Sequence, residues 1–227
     1  MAFAAASGSL YFAGECVSRS CAVRLHLQKK SLAACERDEP KREAWREAVK
    51  EVSVSRLKFI DESSCHLSLT RSYGWAKRGQ PCIGCVPGNS GQRQSVVALF
   101  SLAGMSAHRV VSGSLKQADF TAFVVEQVLP YLSVRDVVVV DNARCHQGKA
   151  VKEAIESAGA SLLFLPAYSP DFAPIELAWR QVKAHLRQSE ARTKPDLMAA
   201  IAEAMPKVTP EQARSYFAHC GYEVLQL

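Results

Sequence analysis

The hydrophobic pattern of this chain changes character along its length. Residues 1 to about 27 show no period and support no element. Residues 31–51, SLAACERDEPKREAWREAVKE, read as a helix after Pro40, with Ala44, Trp45 and Val49 as a short apolar stripe among charges. Residues 57–61, LKFID, read as a short strand ending in an acid. Residues 67–76 and 94–102 read as two more strands, separated by Gly- and Pro-rich turns. Residues 118–132 place Phe120, Phe123, Val124, Val128, Tyr131 and Leu132 on one helical face. Val137 to Val140 form an unbroken β-branched run, the mark of a strand buried on both faces, and Asp141 follows at once. Residues 147–159 read as a helix closed by Gly159, residues 161–165 as another buried strand, and residues 174–188, 195–205 and 210–219 as helices. After the first helix the order is three strands, then helix, strand, helix, strand and three helices. Early strands in series suit an antiparallel meander, and the later alternation suits parallel strands with helical crossovers. The pattern predicts one mixed α/β sheet with helices on both faces, without repeats or low-complexity tracts.

Composition narrows the picture. A chain of 227 residues is long for one domain and short for two. Its 48% apolar and 22% charged residues exclude wholesale disorder. Twenty-eight Lys and Arg against 22 Asp and Glu leave a net charge of +6, which suits a polyanionic partner without requiring one. No run of eighteen apolar residues exists, so no membrane span is expected. The eight cysteines are expected as reduced thiols, because a chain of this size builds its own core and the first residues lack the form of a signal peptide. Cys82 and Cys85 form one CxxC. A zinc site would need two further ligands, for which Cys65-His66 and Cys145-His146 are the local candidates, and this is the weaker reading.

The candidate chemistry lies in three acids. Asp61 and Asp141 each follow an apolar strand, and sites in open α/β sheets form at the carboxyl ends of strands. Glu176 falls in the first turn of a helix after Pro174, where the helix dipole favours an ionised carboxylate. Three converging carboxylates repel one another, and a divalent cation relieves the repulsion. Hard oxygen donors select Mg²⁺ or Mn²⁺, and two such ions can clamp both oxygens of a phosphodiester displacement. The plainer alternative is that each Asp only caps a turn. Glu62 should point away from Asp61 by strand alternation, in a structural role.

FIDES (59–63), VVVVDNARCH (137–146) and LPAYSPDFAPIELAWRQVK (165–183) together resemble the DDE transposases of the IS630/Tc1/mariner superfamily, in its bacterial insertion-sequence branch. The 34 residues between Asp141 and Glu176 match the family's spacing, and YGWAKRGQP (73–81) and TPEQARSYFAHCGY (209–222) are similar to family segments. The resemblance runs from about residue 25 to the end of the chain. It implies an RNase H-like fold, a mixed five-stranded sheet flanked by helices. It also implies cut-and-paste transposition through metal-dependent DNA cleavage and strand transfer, without a covalent enzyme intermediate. Asp61, Asp141 and Glu176 would hold two Mg²⁺ or Mn²⁺ ions, with Asp61 as the bridge. The partners implied are transposon-end DNA, a target that is usually TA, and a second copy of the chain.

Within the DNxxxH pattern, Asn142 and His146 would orient Asp141 or touch the scissile phosphate. Alternatively, Asn142 shapes the loop and His146 caps the next helix. Arg180, Lys183 and Arg187 fall on the Glu176 side of its helix and would bind flanking phosphates; the alternative is a solvated face with a Glu176–Arg180 pair. Lys77, Arg78 and Arg93 would touch DNA or the second subunit. Ala173 stands where the family commonly has an Asn helix cap, so Asp171 is expected to substitute. The expected layout is an unassigned segment 1–24, a linker with helix 25–56 and a catalytic domain 57–227. Family members carry helix-turn-helix modules ahead of the catalytic domain, and residues 1–24 do not resemble one. The chain is therefore expected to be a catalytic half, paired with an upstream helix-turn-helix reading-frame product or left from a degraded element, and to bind DNA without choosing a sequence. Its expected place is the cytoplasm, on the nucleoid. The competing reading is an inactive remnant that only binds DNA or a partner. An RNase H or junction resolvase would share the acids but lack the 34-residue spacing and SPDFAPIE.

Overall fold

The computed structural model describes residues 34–224, so the expectations for residues 1–24 and for the start of the linker lie outside the described residues. Its helices are α1 (Glu39–Lys50), α2 (Gln117–Phe123), α3 (Lys149–Ser157), α4 (Ile175–Ser189), α5 (Lys194–Ala204) and α6 (Pro210–His219). Its strands are β1 (Leu57–Cys65), β2 (Gln94–Ser101), β3 (Gly104–Ser112), β4 (Val137–Val140) and β5 (Ser161–Phe164). They form one five-stranded sheet in the order β3-β2-β1-β4-β5. β1, β2 and β3 pair antiparallel, while β1, β4 and β5 pair parallel. The mixed sheet with helices on both faces is the architecture the pattern predicts.

Three elements differ from the sequence reading. Residues 67–76 form no strand, because β2 is already paired on both edges by β1 and β3 and offers them no ladder. Leu67 and Leu69 still pack against the core, but Tyr73 and Trp75 stand exposed. The third antiparallel strand is β3 instead, an edge strand whose polar Ser106, His108 and Arg109 mask its alternation. Its hairpin turns on Gly104, with φ +93°, where an added Cβ would stand 2.3 Å from the Val208 carbonyl oxygen. Only glycine fits both conditions. Finally, the helix read over 118–132 is α-helical only to Phe123. It continues as a five-residue π turn, Val124–Val128, and a 3₁₀ turn, Leu129–Tyr131, containing Pro130, which has no N–H to extend an α-helix.

Alternation sorts the strand side chains between two cores. Phe59, Ala98, Phe100 and Val139 face α4, α5 and α6, together with Trp45 and Val49 of α1. Ile60, Val97, Leu99, Val138 and Val140 face α2 and α3. α1 is joined to the first of these by more than apolar contact. Arg42 is buried and grips Asp171 with two bonds, Nη1 to Oδ1 at 3.1 Å and Nη2 to Oδ2 at 2.7 Å, and Arg37 also pairs with Asp171. The Arg42 guanidinium lies 4.0 Å from the centre of the Phe172 ring, and Trp45 stacks on that ring at 5.0 Å. No described helix is long and apolar enough to cross a membrane. The six cysteines among the described residues are free thiols.

Removing one partner of a buried pair leaves the other uncompensated, but Asp171 is half exposed here and can rehydrate. Arg42→Ala is therefore expected to destabilise the protein by about 1–3 kcal/mol, read as a lower urea midpoint with unchanged slope.

Candidate active site

Strand register brings two acids together. The parallel ladder pairs Leu57 with Val137 and Phe59 with Val139. Carried two residues further, the same pairing sets Asp61 opposite Asp141. Asp61 is not at a strand end, as the sequence pattern suggests, but inside β1. The polar run Asp61–Ser64 stays extended because β2 supplies its backbone partners, from Asp61↔Ala98 to Ser64↔Ser95. β4 stops at Val140, so the other edge of β1 lies open beyond this point. Asp61 shares its face with Phe59, toward α4, whereas Glu62 is exposed and falls with Ile60 on the opposite face, as alternation predicts.

Each aspartate is held by a ring nitrogen. Trp179 Nε1–H of α4 donates to Asp61 Oδ2 at 3.1 Å. His146 Nδ1 meets Asp141 Oδ1 at 2.6 Å, and the Ala143 N–H donates to the same oxygen at 2.9 Å. His146 is fully buried, with its ring centre 4.3 Å from that of Phe120. It does not cap α3, whose first turn starts at Gly148 without a side-chain cap. Asn142 turns away from the acids and donates to the Leu165 carbonyl, tying the loop after β4 to the end of β5.

Glu176 lies exposed in the first turn of α4. No side chain caps this helix, and Asp171 is engaged by Arg42 and Arg37, so it does not replace the missing Asn. Backbone bonds do the work instead. Pro170–Phe172 forms a 3₁₀ turn, Ala173 N–H donates to Pro170 O at 3.0 Å, and Glu176 N–H donates to Ala173 O at 3.1 Å.

The acids sense one another. Burial first, then the charge of Glu176 and to a lesser degree that of Asp141, push the Asp61 carboxyl up to about 7, against the Glu62 N–H and His146. The His146 hydrogen bond holds Asp141 below the usual carboxylate range, with burial opposing. As the side chains stand, no group of three or more His, Cys, Asp and Glu among the described residues is gathered closely enough to hold a metal ion. That also leaves Cys82 and Cys85 without the further ligands a zinc site needs.

Residues 56–198 match the family described as DDE superfamily endonuclease. The chain belongs to this family. It is 27% identical over 164 residues to the transposable element Tcb2 transposase of Caenorhabditis briggsae, covering 65% of this chain and 59% of that protein. Its fold is similar to that of Mos1 in the Mos1 strand transfer complex, with a TM-score of 0.65 at 19% identity over 86% of this chain and 62% of that one. It is also similar to the Mos1 catalytic domain solved with raltegravir and Mn, with a TM-score of 0.55 at 14% identity over 82% and 94% of the two chains. The fold is thus RNase H-like, and the chain spans about 60% of the length of Tcb2 and of the first Mos1 structure.

Around the three acids the basic candidates divide. Lys183 and Arg93 line a cleft of about 370 Å³ with Glu176, Glu62, Ser63 and Ser64. Arg180 and Arg187 share the Glu176 side of α4, and neither forms an ion pair among the described residues; the Glu176–Arg180 pair is not made. Lys77 and Arg78 sit in the exposed segment before β2, with no contact to the acids among the described residues. Sequence reasoning assigned Trp179 only to the buried face and missed its bond to Asp61. The available signal was its position three residues past Glu176, at the border of that face.

Because its folded pKa lies above the ordinary 3.8, Asp61 costs the fold stability as pH rises from about 4 to about 7, with no further loss above. Asp61→Asn removes this cost. In EDTA at about pH 8 its Tm should exceed that of the native protein by about 8–16 °C, roughly 4 kcal/mol, and at about pH 4 the two melts should coincide.

Proposed function

We propose that this chain is the catalytic part of a transposase, cleaving DNA at transposon ends and joining the freed end to a target. The observation that carries this reading is the accumulation of carboxylate charge on Asp61 from both Asp141 and Glu176, at the carboxyl end of parallel strands, in a DDE fold. Such a set fits a hard divalent cation. All three donors are carboxylates, and Asp141 Oδ2 has no protein partner among the described residues. Asp61, Asp141 and Glu176 would hold Mg²⁺ or Mn²⁺, two ions in all, once their side chains are drawn together. When bound, the ions supply charge neutralisation at the phosphodiester and an activated oxygen nucleophile.

The chain's own residues do the rest. Asp141, kept ionised by His146, presents a charged oxygen at every working pH. Asn142 holds the loop that carries Asp141 against β5. The β1 edge, open beyond Phe59, leaves room for a DNA backbone beside Asp61. Lys183 and Arg93, with Arg180 and Arg187 further along α4, meet the phosphates that flank the cleaved bond. Lys77 and Arg78 are assigned to DNA or to a second copy, since they stand clear of the acids. The Mos1 structures of similar fold include a paired end complex with Mn and one with Mg, which supports a paired, metal-using assembly for this chain too. The choice of transposon end is assigned to a helix-turn-helix module and the TA target to contacts outside this centre. A protein acting on DNA in this way belongs on the nucleoid in the cytoplasm.

The test is cleavage of a labelled duplex, with a pre-cut end supplied for joining. The native chain should cleave in Mg²⁺ or Mn²⁺. Asp61→Ala with Asp141→Ala should lose at least about 100-fold in rate and should give no heat of Mn²⁺ binding by calorimetry. Undiminished metal binding by that double variant would overturn the assignment. DNA affinity should be sequence-independent and should fall about 100-fold between about 50 and 200 mM salt, as expected for about four phosphate contacts. Fluorescence anisotropy on two unrelated duplexes checks this.

A further inference from the structure

α4 carries two groups that converge on the acid centre, and only Glu176 belongs to the DDE set. Three residues later, Trp179 is 3% exposed, and its sole polar atom points at Asp61 Oδ2. An indole N–H donates one hydrogen bond, accepts none and carries no charge at any pH. The chain holds an internal contrast. Trp45 is also buried and stacks on Phe172, yet its Nε1 has no partner among the described residues. The fold therefore accepts an indole used for packing alone, and at Trp179 it aims one.

The aim suits the electrostatics of Asp61. Its carboxylate is buried and crowded by Glu176 and Asp141. A Lys or Arg beside it would relieve that crowding, but its charge would repel any cation brought to the same oxygens. A neutral N–H offsets part of the burial cost, takes one lone pair and adds no charge. It also fixes the carboxylate in one rotation. Since residues three apart are neighbours on a helix, the docking of α4 sets the height of Glu176 and the orientation of Asp61 together.

We propose that Trp179 is a positioning residue for the metal-dependent reaction, fixing the Asp61 carboxylate in the geometry that shares a divalent cation with Glu176 and Asp141. This rests on the reading of the three acids as metal ligands.

The test uses the full chain with position 179 carrying 3-benzothienylalanine, which keeps the indole shape but replaces N–H by sulfur, alongside Trp179→Phe. Free Mn²⁺ measured by electron paramagnetic resonance should show affinity about 10–100-fold weaker in both variants. Cleavage rate at saturating DNA should fall by a similar factor, with KM for DNA unchanged. In ¹⁵N-labelled protein, Asp61→Ala should shift the Trp179 indole N–H resonance and leave that of Trp75 in place. If Trp179→Phe does not fold, the benzothienyl variant decides. Mn²⁺ affinity of that variant within about twofold of native overturns the positioning role alone. A native chain that binds no Mn²⁺ overturns both this role and the metal reading.

Discussion

Asp61 and Asp141 stand at matching heights on neighbouring parallel strands, and their carboxylates repel. Much of the surrounding structure answers this repulsion. Glu176 arrives from α4 and worsens it. Trp179 and His146 each engage one oxygen, and the Ala143 N–H adds a dipole. The result is uneven: Asp61 is pushed up to about 7 while Asp141 is held low. The difference follows from burial. Asp61 faces the α4 core, whereas Asp141 is half exposed at the strand end and is bonded directly by His146.

Outside this acidic centre the charge reverses. Lys183 and Arg93 share a cleft with Glu176, and Arg180 and Arg187 extend the basic line along α4. A net charge of +6 is modest, and its arrangement matters more than its size. The three acids and the cations along α4 set charges of both signs side by side. The serine hydroxyls of the same cleft, Ser63 and Ser64, add neutral donors between the two.

The alternation of the second half was legible because its strands are short and wholly apolar. Val137–Val140 and the strand before Leu165 could be little else, and the α4 face of Ile175, Ala178, Trp179, Val182 and Leu186 stood out by spacing alone. The three acids were legible through the motifs that carry them. What escaped was decided by tertiary pairing. Nothing local marks Asp61–Ser64 as strand, because its extension depends on β2. Nothing local distinguishes residues 67–76 from β3, since the choice turns on which segment reaches the free edge of β2. The partners of Asp171 and Asp61 were hidden for the same reason. Arg42 lies 129 residues from Asp171, and Trp179 lies 118 from Asp61.

The grip of α1 on the Asp171–Phe172 turn bears on the placement of Glu176. That turn leads within four residues to Glu176, and Tyr222 bonds it from the opposite end of the chain, its hydroxyl donating to the Phe172 carbonyl at 2.6 Å. A displacement of α1 therefore cannot leave the turn unchanged, and the first turn of α4 has no side-chain cap of its own to hold it in place. The placement of Glu176 is thus tied through Arg42 and Tyr222 to residues near both ends of the described chain.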